Sequence, residues 1–419
     1  MKSAGRKPVS DLAVIGGGAA GLFAAGFAAK GGASVTVLER GTRPARKLLI
    51  TGKGRCNVTN NCTPEEFLQN VRTNPRFLYG AASAFTPADA MAFFESLGVP
   101  LKTERGGRVF PVSDRAADVA DALVRFAKAS GARLEYSARV SAVLTDGSAV
   151  RGVKLEDGRE LPADAALVAT GGCSYPATGS TGDGWRLAKA LGHTVVPARA
   201  SLVPVRAKEP WCAELMGLSL KNVTLTLRDA RGKAVFSELG EMLFTHFGVS
   251  GPLVLSASSY LTGDPSSCRM EIDLKPGLDD RQLDARLLRD FSAAKNRDFA
   301  NALDQLLPKK LIPVAVRLSG IPPGRKVNAV TREERRAFAA LLKALPVTPA
   351  GLLPVEAGVI TAGGVAVREI DPRTMESKLV KGLYFAGEVI DVDALTGGYN
   401  LQIAWSTARL AAKGVNRNG

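Results

Sequence analysis

The chain has 419 residues, 46% hydrophobic and 23% charged, a globular composition that excludes a disordered tail, a collagen-like rod and a polytopic membrane protein. Lysine and arginine exceed aspartate and glutamate by 15, which favours anionic partners such as nucleic acid, nucleotides or anionic lipid. Five cysteines, an odd number with no C-x-x-C pair, argue against a disulfide framework or a zinc site and for a reducing cytoplasm.

Leu12–Ala29 is apolar enough to imitate a signal-peptide core, but five glycines interrupt it (Gly16, Gly17, Gly18, Gly21 and Gly26). It reads as strand, turn and buried helix, with no cleavage site, and no other segment is long and apolar enough to span a bilayer. Ser10–Ile15 is a short strand. Gly16 to Gly21 (GGGAAG) follows, then a helical pattern, then a second strand at Ser34–Leu38 that ends in Glu39. A lone G-x-G-x-x-G is weak evidence; a strand before it, a helix after it and an acid closing the next strand make it a dinucleotide signature. Gly16 allows the tight turn, Gly18 lets backbone N–H groups reach a pyrophosphate, and Gly21 lets helix pack on strand. The helix N-terminus carries partial positive charge, and Glu39 can accept from ribose hydroxyls.

Further along, Thr86–Gly98 and Ala116–Gly131 have helical spacing. Arg133–Asp157 reads as a β-ribbon turning at Asp146-Gly147. Asp164–Gly172 (DAALVATGG) is an apolar strand running into small residues, and Gly179–Leu191 is a glycine turn entering a helix. Residues 194–275 alternate in strand fashion. From 276 to 343 the pattern turns helical and polar, broken by Pro308, Pro313 and Pro322-Pro323. That stretch holds fourteen Lys/Arg against eight Asp/Glu. Lys309, Lys310, Arg325, Lys326, Arg332, Arg335 and Arg336 make it either a candidate RNA-facing surface or the solvated face of a basic protein. Its aromatics, Phe291, Phe299 and Phe338, have a core setting and offer no base-stacking platform. Gly382–Glu388 (GLYFAGE) is a strand ending in glycine and an acid, and Thr396–Gln402 (TGGYNLQ) opens a final helix.

Flavoproteins of the glutathione-reductase type carry the segments Asp164–Gly172, Gly382–Glu388 and Thr396–Gln402 in the same order. The resemblance implies an α/β fold in which both chain ends build one FAD-binding Rossmann domain. No second G-x-G-x-x-G in strand–helix context occurs, so NAD(P)H would dock transiently as electron donor. Three longer motifs, Arg46–Asn60 (RKLLITGKGRCNVTN), Leu243–Pro252 (LFTHFGVSGP) and Leu383–Gln402, resemble the YhiN/BaiN-type flavoproteins, the aminoacetone-oxidase-family FAD-binding enzymes. That resemblance covers essentially the whole chain. It implies an FAD domain over 1–193 and 356–419, an inserted β-rich domain over 194–275 and 344–355, and a small helical insertion over 276–343. The cofactor contacts it implies begin with Gly16, Gly18, Ala20, Gly21, Glu39 and Arg40. The Lys47–Asn60 loop would cross the flavin with Lys47, Arg55, Cys56 and Asn57. Val140 would pass the adenine. Thr170, Gly171, Gly172, Gly387 and Glu388 would line the pyrophosphate and ribitol side, and Gly398, Tyr399, Asn400 and Leu401 would face the flavin pyrimidine.

The activities the resemblance implies are reduction of conjugated C=C bonds, either in steroid-like enones or in a uridine of large-subunit ribosomal RNA, by hydride transfer from flavin N5. The net charge of +15 favours the RNA substrate. A carbon receiving hydride needs a proton on its neighbour, and Cys56 and His246 are the two candidate acids. Cys56 can equally be a packing residue, its acidity set by burial against Arg55 and Lys53, and His246 a satisfied core histidine. Tyr175 and Tyr399 are secondary donors, and His193 reads as structural. An FAD-dependent amine or aminoketone oxidase, and a non-catalytic flavin-bearing RNA-binding protein, are the alternative classes. No metal site is expected.

Overall fold

The computed structural model describes residues 10–418. The chain forms two compact units, one taking residues up to Ser201 and from Val355 onward, the other Leu202–Pro354. In the first unit the opening reads as its pattern demands: β1 (Ser10–Ile15), α1 (Ala19–Lys30) and β2 (Val35–Leu38). β1 pairs in parallel with β2 on one side and with Glu160–Val168 on the other; Leu383–Phe385 and Arg133–Glu135 extend the sheet, also in parallel. Strands covered on both faces read as unbroken apolar runs, as LAVI and ALV do here. α1 is buried from Ala20 to Gly26 and again at Ala28. Its Phe23 ring stands 5.5 Å from Trp405 of the last helix, Tyr399–Asn418, and 5.0 Å from Phe85 and Phe93. Among the described residues no helix is long and apolar enough to cross a membrane.

Three details differ from the sequence reading. Arg133–Glu135 joins β2 rather than the ribbon, and the ribbon is Val140–Asp146 with Ala149–Leu155. Period-two alternation does not distinguish a parallel edge strand from a hairpin arm, and Ser137, at φ 52°, turns the chain between the two. The hairpin turn is Gly147-Ser148, because Asp146 still pairs with Ala149. Val195–Ser201 pairs with Ile360–Val365 inside the first unit, since alternation announces a strand without naming its partner.

The second unit is an antiparallel sheet in the order Leu345–Val347, Arg269–Asp273, Ser219–Arg228, Ala234–Thr245, Gly248–Ser250, Val205–Ala207, Pro349–Leu352. The helices of the basic stretch, Asp280–Ala293, Ile312–Ser319 and Arg332–Lys343, have no core of their own. Leu283, Leu287, Phe291, Phe299 and Phe338 join one cluster with Leu225, Leu227, Met270 and Ile272 of the sheet. Two of these helices start with reciprocal caps, Asp279 with Gln282 and Thr331 with Glu334.

Candidate cofactor-binding site

The turn after β1 is closely packed. Gly16 has φ 107°, and a Cβ there would stand 2.7 Å from the Ala169 carbonyl oxygen. A Cβ on Gly21 would stand 1.9 Å from the Gly16 carbonyl, so helix and strand meet this closely only through glycine. No side chain caps α1 at Gly18, and a Cβ on Gly18 would meet nothing nearer than 4.0 Å. An anionic group can therefore approach the first-turn N–H groups, Ala20 included, without displacing protein atoms. Glu39 is held rigidly: its Oε2 accepts from the Gly17 N–H at 2.9 Å and its Oε1 from the Gly41 N–H at 2.7 Å. Each oxygen keeps a lone pair for a further donor.

Beside it, Arg40 donates to Thr181 at 2.5 Å and pairs with Asp183 at 3.2 Å, while Arg139 binds Asp183 at 2.9 Å. Burial pushes the Asp183 carboxyl up, but the guanidiniums of Arg139, Arg40 and Arg186 prevail and hold it below its ordinary value. Val140, the next residue, is buried at the start of the ribbon. The charge of Arg40 is thus largely engaged with protein.

Lys47 and Glu388, 341 positions apart, form an ion pair of 2.7 Å, and Lys47 also donates to Ser174 Oγ at 2.6 Å. Glu388 Oε1 accepts from the Thr361 N–H at 2.9 Å and from the Ser174 hydroxyl at 3.2 Å. Thr361 Oγ1 in turn accepts from the N–H groups of Cys173 and Ser174 at 2.9 and 3.0 Å. Glu388 thereby ties together the segments holding Lys47, the Gly171-Gly172 turn and Thr361. Thr361, which carried no sequence signal, bridges Glu388 to Cys173 and Ser174 in that knot; Gly171 has φ 74°. Thr170 Oγ1 and Asn57 Oδ1 are buried without a hydrogen-bond partner, a costly state that a polar ligand would relieve.

The Lys47–Asn60 segment is a short helix, Arg46–Ile50, followed by a left-handed run with positive φ at Gly52, Lys53, Gly54 and Cys56. Arg55 turns away to Glu104 and to Asp114, the latter at 2.8 Å from its Nε, and lies 4.1 Å over the Phe110 ring. Two carboxylates of the protein thus engage the Arg55 charge. Cys56 is fully buried, and burial pushes its thiol up to about 12, with a Thr51 hydrogen bond pulling the other way. Burial wins the balance that the sequence left open. Thr59 donates to Gln402 at 2.7 Å, and Trp405 Nε1 donates to the Val58 carbonyl at 2.9 Å, which fastens this segment to the last helix.

At that helix start Gly397 and Gly398 have φ 128° and 100°, and Tyr399 and Leu401 are half-buried. The Asn400 side chain is occupied with the Ala394 backbone, donating at 2.8 Å and accepting at 3.0 Å, so only its backbone is available to a ligand. Sequence reading missed Asp391 and Asp393, both buried, each with Oδ1 unpartnered. Burial, then the Asp393 charge, holds the Asp391 carboxyl above its ordinary value, against an Asn74 hydrogen bond.

His246 is not a core histidine. It is exposed between Ala234–Thr245 and Gly248–Ser250 in the second unit, its ring 4.9 Å from Phe247. His193 is buried, its Nε2 2.9 Å from Ser377 Oγ, and burial lowers its pKa. Phe291, Phe299 and Phe338 are buried as expected. Much of the basic stretch is engaged: Lys326 with Asp298 at 2.8 Å, Arg335 with Asp284 at 2.7 Å, Arg325 with Glu334, and Lys310 with the Met216 carbonyl at 2.5 Å. Lys309, Arg332 and Arg336 are exposed. Among the described residues no group of three or more His, Cys, Asp or Glu could hold a metal ion.

The profile of the HI0933-like protein Rossmann domain matches residues 10–414. A ribosomal RNA dihydrouridine synthase of Escherichia coli is 34% identical over 96% of this chain and 97% of its own length. A 3-dehydro-bile acid Δ(4,6)-reductase of Clostridium scindens is 31% identical over 97% of this chain and 98% of its own. In fold, a 3-ketosteroid-Δ4-(5α)-dehydrogenase from Rhodococcus jostii superposes with a TM-score of 0.55 at 16% identity, covering 99% of this chain and 98% of that one. The chain belongs to the HI0933-like family, and with it to the FAD-dependent oxidoreductases.

Proposed function

We propose that this chain is an NAD(P)H-driven reductase of an activated C=C bond and that its substrate is a uridine of large-subunit ribosomal RNA. FAD fits the residues present. The uncapped α1 start, with Gly16, Gly18, Ala20 and Gly21, would hold its diphosphate, and Glu39 its adenosine ribose. The unpartnered Asn57 Oδ1 and Thr170 Oγ1, with Gly171 and Gly172, would meet its flavin half, Lys47 and Glu388 fix the loops around it, and the Gly398–Leu401 helix start would supply N–H groups. When bound, FAD supplies a hydride equivalent to one alkene carbon.

The chain's own task is the proton on the neighbouring carbon. Cys56 keeps its proton too tightly for an efficient general acid, whose pKa belongs near the working pH. It is read here as a packing residue, and His246 as the acid. Replacing each singly separates the two: His246→Ala should slow turnover by about 100-fold or more, Cys56→Ala by less than tenfold. The reverse order would exchange their roles.

The observation that supports RNA most is the family relationship over nearly the full length, joined to a net charge of +15. A small enone needs no such field. The relative named as a bile-acid reductase keeps the enone reading open as the second one. The test is direct. Ribosomal RNA from cells lacking the gene should gain an unreduced uridine, two hydrogens lighter, and purified protein with NAD(P)H should restore the reduced base. Unchanged ribosomal RNA together with rapid reduction of a steroid-like enone would favour the second reading.

A further inference from the structure

Among the described residues Lys275 is a cation without a counter-ion. It follows the strand Arg269–Asp273 and is partly buried, and burial, helped by Arg286, pushes its pKa down. Two acids near it in the chain, Asp273 and Asp290, are already taken. Asp273 accepts the Lys275 backbone N–H at 2.8 Å on Oδ1 and the Lys343 ammonium at 2.5 Å on Oδ2. Asp290 pairs with Arg286 at 2.6 Å. Lys343 further donates to the carbonyls of Lys275 and Leu278, at 3.2 and 2.7 Å. No described side chain partners the Lys275 ammonium. A half-desolvated, uncompensated charge is unfavourable, and an external anion would relieve it.

Lys275 lines a cleft of about 140 Å³ together with Ser219, Lys221, Leu307, Pro308 and Leu311. Lys221 is exposed and faces Glu241 across the strand pair, while Lys309, beside Pro308, is exposed as well. The cleft is too small for a drug-sized ligand, which needs roughly 300 Å³ or more, and no aromatic lines it, so a stacked base is a poor match. A tetrahedral oxyanion suits a cleft lined by two lysines and a serine among leucine and proline better.

We propose that this cleft is a phosphate subsite for substrate RNA, in which Lys275 and Lys221 grip one phosphodiester and Ser219 donates to it. This rests on the RNA reading above, and the two can fail separately. The test uses full-length, flavin-loaded protein and fluorescent oligouridylate, with binding measured across a salt series. Lys275→Gln should weaken binding roughly tenfold at low salt and lower the salt slope by about 0.7, the value of one single-strand phosphate contact. Lys221→Gln should move both in the same direction. Lys275→Arg should retain most of the affinity, and Lys233→Gln, in the turn at the far end of the strand pair, should change neither quantity. Acylation footprinting supplies the second readout: oligouridylate should slow modification of Lys275 and Lys221.

Unaltered affinity and slope in Lys275→Gln would overturn the subsite while leaving uridine reduction untouched. Protection by inorganic phosphate but not by oligouridylate would also overturn it, assigning the cleft to a free phosphate compound. Protection by RNA in a protein that reduces no uridine would keep the subsite and remove the reaction.

Discussion

On the proposed reading, Lys47 bears on both stability and cofactor retention. Its ammonium balances Glu388, and both side chains are about one-fifth exposed, so the pair is neither a surface decoration nor fully desolvated. Lys47→Met should cost roughly 1–2 kcal/mol of stability and reduce flavin retention, as read by thermal unfolding and by the visible spectrum. Pairing it with Glu388→Gln should recover part of the stability; no recovery would mean that Lys47 acts elsewhere. The cysteines give a pH signature. Burial raises Cys56 and Cys212 from 9.0 to about 12 and Cys62 to about 11. The unfolded chain therefore releases these protons first. Their contribution is present below about pH 9 and is lost as pH rises towards 11 and 12. The melting temperature should fall on that side, and Cys212→Ala should flatten the fall; an unchanged slope in the variant would show that Cys212 contributes none of it. Native Cys56 should also resist alkylation at neutral pH.

The elements that hold the site are local, and their side-chain partners are not. The β1–α1–β2 opening was legible because glycine spacing, apolar runs and the closing Glu39 agree with one another. The final helix start was legible for the same reason. Its Gly398 has φ 100°, and a Cβ there would stand 2.3 Å from the Thr59 carbonyl. Gly398→Ala should therefore yield folded protein that loses flavin on gel filtration, with normal retention as the contrary result. What the sequence hid is pairing across distance. Nothing in the string says that Arg55 spends its charge on Glu104 and Asp114, or that Asn400 turns back to Ala394. Thr361 and the Asp391–Asp393 pair were invisible because their roles arise only when segments far apart in the chain meet. In the second unit alternation announced strands correctly, but helices of the basic stretch looked independent because their apolar faces do not name the sheet they cover. Phe299→Ala, which removes a ring shared with Phe291 and Phe338, should cost about 3–5 kcal/mol by denaturant unfolding. A loss below about 1 kcal/mol would contradict a common core for helices and sheet.

At the scale of the whole molecule, an insertion separates the two halves of one nucleotide-binding unit: strand Leu383–Phe385 and the last helix complete a sheet begun at Ser10. A net charge of +15 dispersed over such a chain would suit the proposed polyanionic substrate, yet many of its cations are paired internally, so specific phosphate contacts would matter more than the total. Everything proposed for the chemistry requires that the two ends of the chain share a single flavin. The most direct measurement is the cofactor content of the purified protein, by visible spectrum and by identifying what heat releases, followed by anaerobic addition of NADH or NADPH. Stoichiometric FAD that bleaches on adding the nicotinamide is the predicted result. Colourless protein that takes up no FAD on reconstitution would contradict it.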